Sequence, residues 1–512
     1  MGKTLASVNF ALKLRERRLE ERNGVAPRII YALPFLSVID QNFHEIQKVL
    51  QENGITLDHT VLLKHHSLTE PLYQASEDEI YEDDKGKLLI EGWNSEFIIT
   101  TYVQLLESLL TNRNRSLRKF HRFSNSIILL DEIQSLPVKY WPLVQTLFLE
   151  LTRYLQVDVI LLTATQPKIF TEGEVLPLCE AETYFKEMNR ISLEFQIDEK
   201  KTLEEFVNNV DLETDKSYLF IMNTIASARD LFQLLKDKID EEMVYLSTHV
   251  VPAERLNRIE EIRSGKYRIA VSTQLIEAGV DIDFDVVFRD FAPLESINQS
   301  AGRCNRHGKR EGKVVVVRLG NINDNGRFYA YGDKIYEKVK LDATRKVVSG
   351  VKTLQEKEFL TYIDRYFELL KSRMDQSESD KFLQGLNTLL FDRDPFPTKK
   401  ERGELKKLPI SSFLLIEDNL DRMDVFIEIN DEAQNLWERY VDIMENIFDP
   451  LEKYIRFAAI KNKMRDYIVS VPKRVNNQPP SVDNMFYVSR AMLNNFYNSE
   501  TGFKVESHFS NW

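Results

Sequence analysis

At 512 residues, with 43% hydrophobic and 29% charged side chains, the chain is too long for one core and has the balance of an ordinary globular protein of two to four domains. A formal net charge of −12 argues against a protein that coats nucleic acid over its whole surface, though it leaves room for a local basic track. No apolar run approaches a membrane span and no apolar h-region opens the sequence; the two cysteines, Cys179 and Cys304, exclude a disulfide framework and a cysteine zinc cluster, so a reducing cytoplasm is expected.

The first predicted element is a helix over residues 5–14, with Gly2-Lys3-Thr4 at its start. These three residues match the end of a phosphate-binding loop, Gly-x-x-x-x-Gly-Lys-Thr/Ser. In such a loop the N–H groups of a helix N-terminus cradle phosphate, the lysine neutralises the β and γ charges, and the threonine gives an oxygen to Mg²⁺. The strand and first glycine that precede it in the full loop are not among these residues. Whether they are encoded separately, lie upstream of this sequence or are lost, phosphate binding is expected to be weakened and a sheet edge laid open. Short apolar runs then alternate with helical stretches, the pattern of a parallel α/β domain. The strands are predicted at 28–33, 60–64, 97–101, 126–130 and 157–163.

The fourth of these runs straight into Asp131-Glu132, with Ile133-Gln134 following. A strand buried on both faces that ends in two carboxylates suits nucleotide hydrolysis: Asp131 would hold Mg²⁺, and Glu132 would orient or deprotonate the attacking water. Thr163-Ala164-Thr165, after the fifth strand, is placed to couple these acids to a second domain. Residues 194–205 are charged and read as the connection to that domain. Its strands are predicted at 217–222, 243–247, 268–272, 286–289 and 314–317. In the run 272–283 the hydroxyls, Thr273 among them, suit contacts with a phosphate backbone, Gly279 permits a tight turn and Asp281 can bond a ribose hydroxyl. The run 299–306 opens on Gln299, counted with the catalytic set, and presents Arg303 and Arg306 three apart on one helix face, as arginine fingers for a γ-phosphate.

Softer nucleic-acid candidates stand at other strand ends: Pro34 with Phe35, Thr100 and Thr101 with Gln104, and Thr248 and His249 after Ser247. Basic runs at 113–122, 303–310 and 399–407 could form a track, and the middle one alone has motif support. His65-His66 lacks an acidic partner at ligand spacing and reads as structural. Beyond residue 333 the sequence turns helical and charged, with Pro395 and Pro397 in a linker, then strand-like runs at 411–416 and 424–429 and helices after Asp431.

Motifs of these kinds in this order resemble superfamily-two nucleic-acid helicases. More narrowly, Asp131 to Gln134, Tyr245 to His249 followed by Arg255, Gln274 to Asp285, and Gln299 to Gly308 resemble the helicase of type I CRISPR interference. The likeness covers about residues 1–320. It implies two tandem RecA-like parallel-sheet domains at 1–192 and 193–333, a helical linker at 334–400 and a small C-terminal accessory domain at 401–512. It also implies ATP and Mg²⁺ as cofactors, 3′-to-5′ movement on single-stranded DNA, and recruitment by an RNA-guided surveillance complex. In that family a His-Asp nuclease accompanies the helicase. This sequence has no His-Asp dipeptide, so the nuclease is expected to be separately encoded or missing, and these residues are not expected to cut DNA. Two other readings stay open: a DNA-binding remnant without turnover, and a nucleic-acid-dependent ATPase outside CRISPR.

Overall fold

Apolar runs of five or six residues become the inner strands here because both faces of those strands are covered, leaving no polar face to alternate with. The computed structural model describes residues 2–505 apart from 35, 67–72, 75–79, 82–83, 164–166, 278, 309, 393–396, 398, 417–421, 474–477 and 484. The chain forms two units, residues 1–176 with 371–417, and residues 177–370 with 418–512. Among the described residues no helix is long and apolar enough to cross a membrane.

In the first unit β1 (Arg28–Leu33), β2 (Leu62–His65), β3 (Phe97–Thr101), β4 (Ser126–Asp131) and β5 (Asp158–Leu162) form a wholly parallel sheet in the order β2–β3–β1–β4–β5. All five lie where the sequence predicts them. The inner strands are buried throughout except Arg28, whereas β5, at the edge, is mostly half-exposed. The helix α1 (Gly2–Glu21) lays Val8 and Ala11 on Ile29, Tyr31, Ile127 and Leu129. At its far end Arg18 and Arg22 bond Asp158 of β5, at 2.6 and 2.8 Å. This pinning brings the start of α1 to the carboxyl ends of the strands, where open parallel sheets carry their ligands. The helix Ser377–Asn387 also belongs to this unit: the Ser379 hydroxyl donates to the Lys139 carbonyl at 2.6 Å, and Phe382 and Phe413 pack on the Tyr140 ring. The expected linker, 334–400, therefore divides between the units. The strand expected at 411–416 is instead a short 3₁₀ turn, Ile410–Ser412, followed by irregular chain carrying Phe413 into that ring cluster.

The second unit holds β6 (Ile191–Lys201), β7 (Tyr218–Met222), β8 (Met243–Leu246), β9 (Ile269–Thr273), β10 (Val286–Asp290), β11 (Gly312–Ile322) and β12 (Thr353–Gln355). Their order is β8–β9–β7–β10–β11–β6–β12, parallel except for β12. The segment 194–205, expected as a connection, is mostly β6. Its inward residues Ile191, Leu193, Phe195 and Ile197 alternate with polar ones, a period-two signal hidden by the charges of its outer face. A smaller sheet, β13 (Arg422–Ile427), β14 (Ile468–Pro472), β15 (Ser481–Val482) and β16 (Met485–Val488), has its own core, which Val251 joins from the segment after β8. The hairpin β17 (Tyr497–Asn498) and β18 (Gly502–Phe503) adds Tyr497 and Phe503 to that core. Phe503 N–H donates to the His249 carbonyl at 2.8 Å. Gly502, at φ +82°, lies so near this carbonyl that a Cβ would sit 2.2 Å from it.

Candidate nucleotide site

Consecutive residues on a strand point to opposite faces, so Asp131 and Glu132 could not serve one site on regular β structure. The chain solves this at Glu132, which adopts the left-handed conformation (φ 55°, ψ 46°). That conformation is uncommon for a residue with a Cβ and costs on the order of 1–3 kcal/mol. The turn brings both carboxylates to Lys3: its ammonium lies 2.6 Å from Asp131 Oδ1 and bonds the Glu132 carboxylate. Burial pulls the lysine pKa down, but the two acids outweigh it and hold it above the ordinary value. Burial likewise pushes the Asp131 carboxyl above its usual range despite the lysine.

Other side chains fix this cluster. Tyr31 lies beside Leu129 in the β1–β4 register, on the face that also carries Asp131, and its hydroxyl donates to Asp131 Oδ2 at 2.9 Å. Tyr102 donates to the Asp131 carbonyl at 2.8 Å. The Gln134 amide donates to Glu132, and the Thr163 hydroxyl donates to Gln134 Oε1 at 2.6 Å, so the expected coupling residue touches the acids through one intermediary. Thr165 lies outside the described residues. Thr4 Oγ1 donates to Asn42 Oδ1 at 2.7 Å. Gly2 stands exposed at the start of α1. This donor set fits Mg²⁺: the ligands are hard oxygens, and the buried Asp131 Oδ1 accepts no hydrogen bond of ordinary geometry. Among the described residues no group of three or more His, Cys, Asp or Glu side chains is arranged to hold a metal ion.

In the second unit the two arginines differ. Arg303, 9% exposed, donates from Nε to the Ile276 carbonyl (2.9 Å) and from Nη2 to the Glu277 carbonyl (2.6 Å). It ties the turn after β9 to the end of the helix α5 (Leu294–Ala301), which carries a half-buried Gln299. The Arg306 side chain, 31% exposed, lies 3.2 Å from Asp281 Oδ1. Gly279 takes φ +74°, as its turn requires. Beneath them Arg289 is fully buried, 2.9 Å from Glu277 Oε1, and donates to Asn223, Ser296 and Tyr336. Ser296 and Ser300 donate to the same Glu277.

The nucleic-acid candidates divide. Thr248 is exposed and Pro34 half-buried, while Phe35 lies outside the described residues. Thr101 caps the helix α3 (Tyr102–Leu109; α5 above follows it and α2, Leu36–Glu52, and α4, Trp141–Leu155), accepting from Gln104 N–H at 3.1 Å. Thr100 is fully buried, and its hydroxyl donates to the His65 carbonyl. Thr273 is buried at the end of β9, and His249 is buried beside the C-terminal hairpin. Within the basic run at 113–122, Arg115 and Arg118 brace the buried Glu91, so they act there as structural partners. His65 is structural, as expected: its Nδ1 accepts from Trp93 Nε1 at 2.9 Å.

His249 makes a testable pH element. Burial, then Arg422 and Arg229, push its pKa down to about 4 from 6.5. Between those values the unfolded chain binds a proton that the folded chain refuses. Its contribution is therefore complete above pH 6.5 and is lost as pH falls through about 4. In denaturant unfolding, His249→Gln is expected to flatten the fall in stability between pH 7 and 5. Parallel pH profiles for parent and variant would refute this.

Glu277 stood inside the quoted run 272–283 without a role, and the residues that sequence reasoning missed are Tyr31, Tyr102, Asn42 and Arg289. Gln134 stood inside the run that carries the acid pair and was given no role. Register and helix packing bring these residues in, and no local spacing announces them.

Two parallel α/β units, one with a lysine on a strand-end acid pair and one with paired arginines after its turns, define a helicase-type architecture. Residues 214–309 match the family model of the CRISPR-associated nuclease/helicase Cas3, C-terminal. The CRISPR-associated nuclease/helicase Cas3 of Haloferax volcanii is 28% identical, over 63% of this chain and 46% of that protein. The structure of T. fusca Cas3 with ATP aligns at a TM-score of 0.65 with 15% identity, over 95% of this chain and 64% of the other. A chain of a CRISPR RNA-guided surveillance complex in a pre-nicking state aligns at 0.57 with 16% identity, over 95% and 63%. The chain thus spans about half the length of the Haloferax relative. It has the tandem RecA-like fold of these structures, and its sequence is similar to the CRISPR-associated nuclease/helicase Cas3 proteins.

Proposed function

We propose that this chain is the motor part of a CRISPR interference helicase, hydrolysing ATP with Mg²⁺ to move 3′ to 5′ along single-stranded DNA. The observation that carries the reading is the meeting of Lys3 with Asp131 and Glu132, nearly the full first sheet apart in sequence. Gly2, Lys3 and Thr4 bind the phosphates; Asp131 and Thr4 would hold Mg²⁺, which when bound neutralises phosphate charge. Glu132 takes the proton of the attacking water, and Thr163 with Gln134 holds its carboxylate in place. Arg306, with Gln299, supplies transition-state stabilisation, while Arg303 keeps the arginine loop in shape. Gly279 and Asp281 bind the nucleoside side of ATP; Thr248, exposed just after β8, grips the DNA backbone. An RNA-guided surveillance complex delivers the DNA strand, and a His-Asp nuclease acts with this chain from elsewhere.

The experiment is ATP turnover with and without single-stranded DNA, joined to unwinding of duplexes with 3′ or 5′ overhangs. DNA-stimulated turnover with unwinding from 3′ overhangs is expected. DNA binding with no turnover would replace this reading with that of a binding protein.

A further inference from the structure

We propose that Tyr31 and Asn42 are positioning residues for a divalent cation, each orienting one oxygen that would bind it. The inference rests on the nucleotide-site reading above.

The two oxygens are the Asp131 carboxylate and the Thr4 hydroxyl, and each is held from behind. Tyr31 is wholly buried in β1, and its hydroxyl donates to Asp131 Oδ2 at 2.9 Å. A carboxylate held at one oxygen by a neutral donor cannot swing freely, so Tyr31 sets the direction of Oδ1. That oxygen faces the Lys3 ammonium at 2.6 Å and accepts no hydrogen bond of ordinary geometry. Tyr31 thereby assigns the two oxygens different tasks: Oδ2 anchors the group and Oδ1 is left for a positive charge.

Asn42, 5% exposed on α2, does the corresponding work for Thr4 by accepting its hydroxyl proton on Oδ1 at 2.7 Å. A threonine hydroxyl has one proton and two lone pairs. With the proton committed to Asn42, the lone pairs are what the hydroxyl can offer on its other side, which is the form a cation requires. Without that acceptor the proton could turn toward a carboxylate and occupy the oxygen that the cation needs. Neither Tyr31 nor Asn42 carries charge at neutral pH, so their contribution is one of direction.

The test titrates Mg²⁺ against binding of a fluorescent ATP analogue, repeats the binding in EDTA, and follows Mn²⁺ binding by electron paramagnetic resonance. Tyr31→Phe is expected to raise the Mg²⁺ needed for half-maximal analogue binding about tenfold, and Asn42→Ala about fivefold, the scale of one hydrogen bond each. Mn²⁺ affinity should fall in parallel, while analogue affinity in EDTA stays at the parent's level. Asn42→Asp, which keeps the acceptor, should restore the Mg²⁺ response. Equal weakening with Mg²⁺ and in EDTA would overturn the proposal, because it would reveal a packing role only. An unchanged Mg²⁺ requirement in Tyr31→Phe and Asn42→Ala would overturn it too, as would an Asn42→Asp variant as impaired as Asn42→Ala. The underlying nucleotide reading fails separately, in the parent chain, if Mg²⁺ does not strengthen analogue binding at all.

Discussion

Glu132→Gln is expected to lower ATP turnover about a thousandfold while leaving nucleotide binding within a fewfold of the parent. General bases contribute on the order of 10²–10⁴ in rate, and an amide of the same shape cannot accept the water's proton. The substitution is a sharp one because so little else changes. The left-handed turn at residue 132 is made by the backbone, and the Gln134 amide can still donate to the remaining carbonyl oxygen. Lys3 keeps Asp131 at 2.6 Å, so the lysine proposed to bind phosphate stays at the site. Single-turnover kinetics with a bound fluorescent nucleotide separates the two quantities. Turnover within tenfold of the parent would remove Glu132 from the role of base and shift attention to the water-holding groups around it.

The second large effect is on stability. Arg289→Met is expected to destabilise the second unit by about 3–5 kcal/mol, the usual result of taking one partner from a buried ion pair. Glu277 would keep the hydroxyls of Ser296 and Ser300 but lose the guanidinium of Arg289, and Asn223 and Tyr336 would lose a donor. Replacing both charges, as Arg289→Met with Glu277→Leu, is expected to recover part of the loss, because an apolar pair no longer carries an unpaired buried charge. Denaturant unfolding measures all three chains. A single variant within 1 kcal/mol of the parent would mean that water or neighbouring dipoles already solvate Glu277. The helix that carries Gln299 is tied to Glu277 through the same serines, so loosening this network is also the route by which the arginine loop would lose its shape.

Much of this architecture was legible in the sequence, for a physical reason. Strands covered on both faces must be apolar throughout, and runs such as Ile127 to Leu130 announce themselves. β6 was not legible by that rule, since it lies near the sheet edge with one polar face. There the alternation of Ile191, Leu193, Phe195 and Ile197 was the informative pattern, and the charges between them suggested a connection instead. The meeting of the acid pair with Lys3 was legible because the nucleotide chemistry proposed here requires those residue types at strand and helix ends. Tyr31 was not, because its relation to Asp131 is created by register across about a hundred residues. The strand ends at Thr100 and His249 were correctly located, yet only packing decides whether a hydroxyl or imidazole at such an end faces solvent. In both cases the structure turns it inward.

The return of residues 371–417 to the first unit bears on how this protein is made. Leu143 N–H and the Lys139 carbonyl meet Ser379, and the Tyr140 ring meets Phe413, more than two hundred residues later. At translation rates of about 5–20 residues per second, that flank of α4 waits roughly ten to fifty seconds for its cover. The first unit therefore receives its last segment only after residues 177–370 of the second have been synthesised.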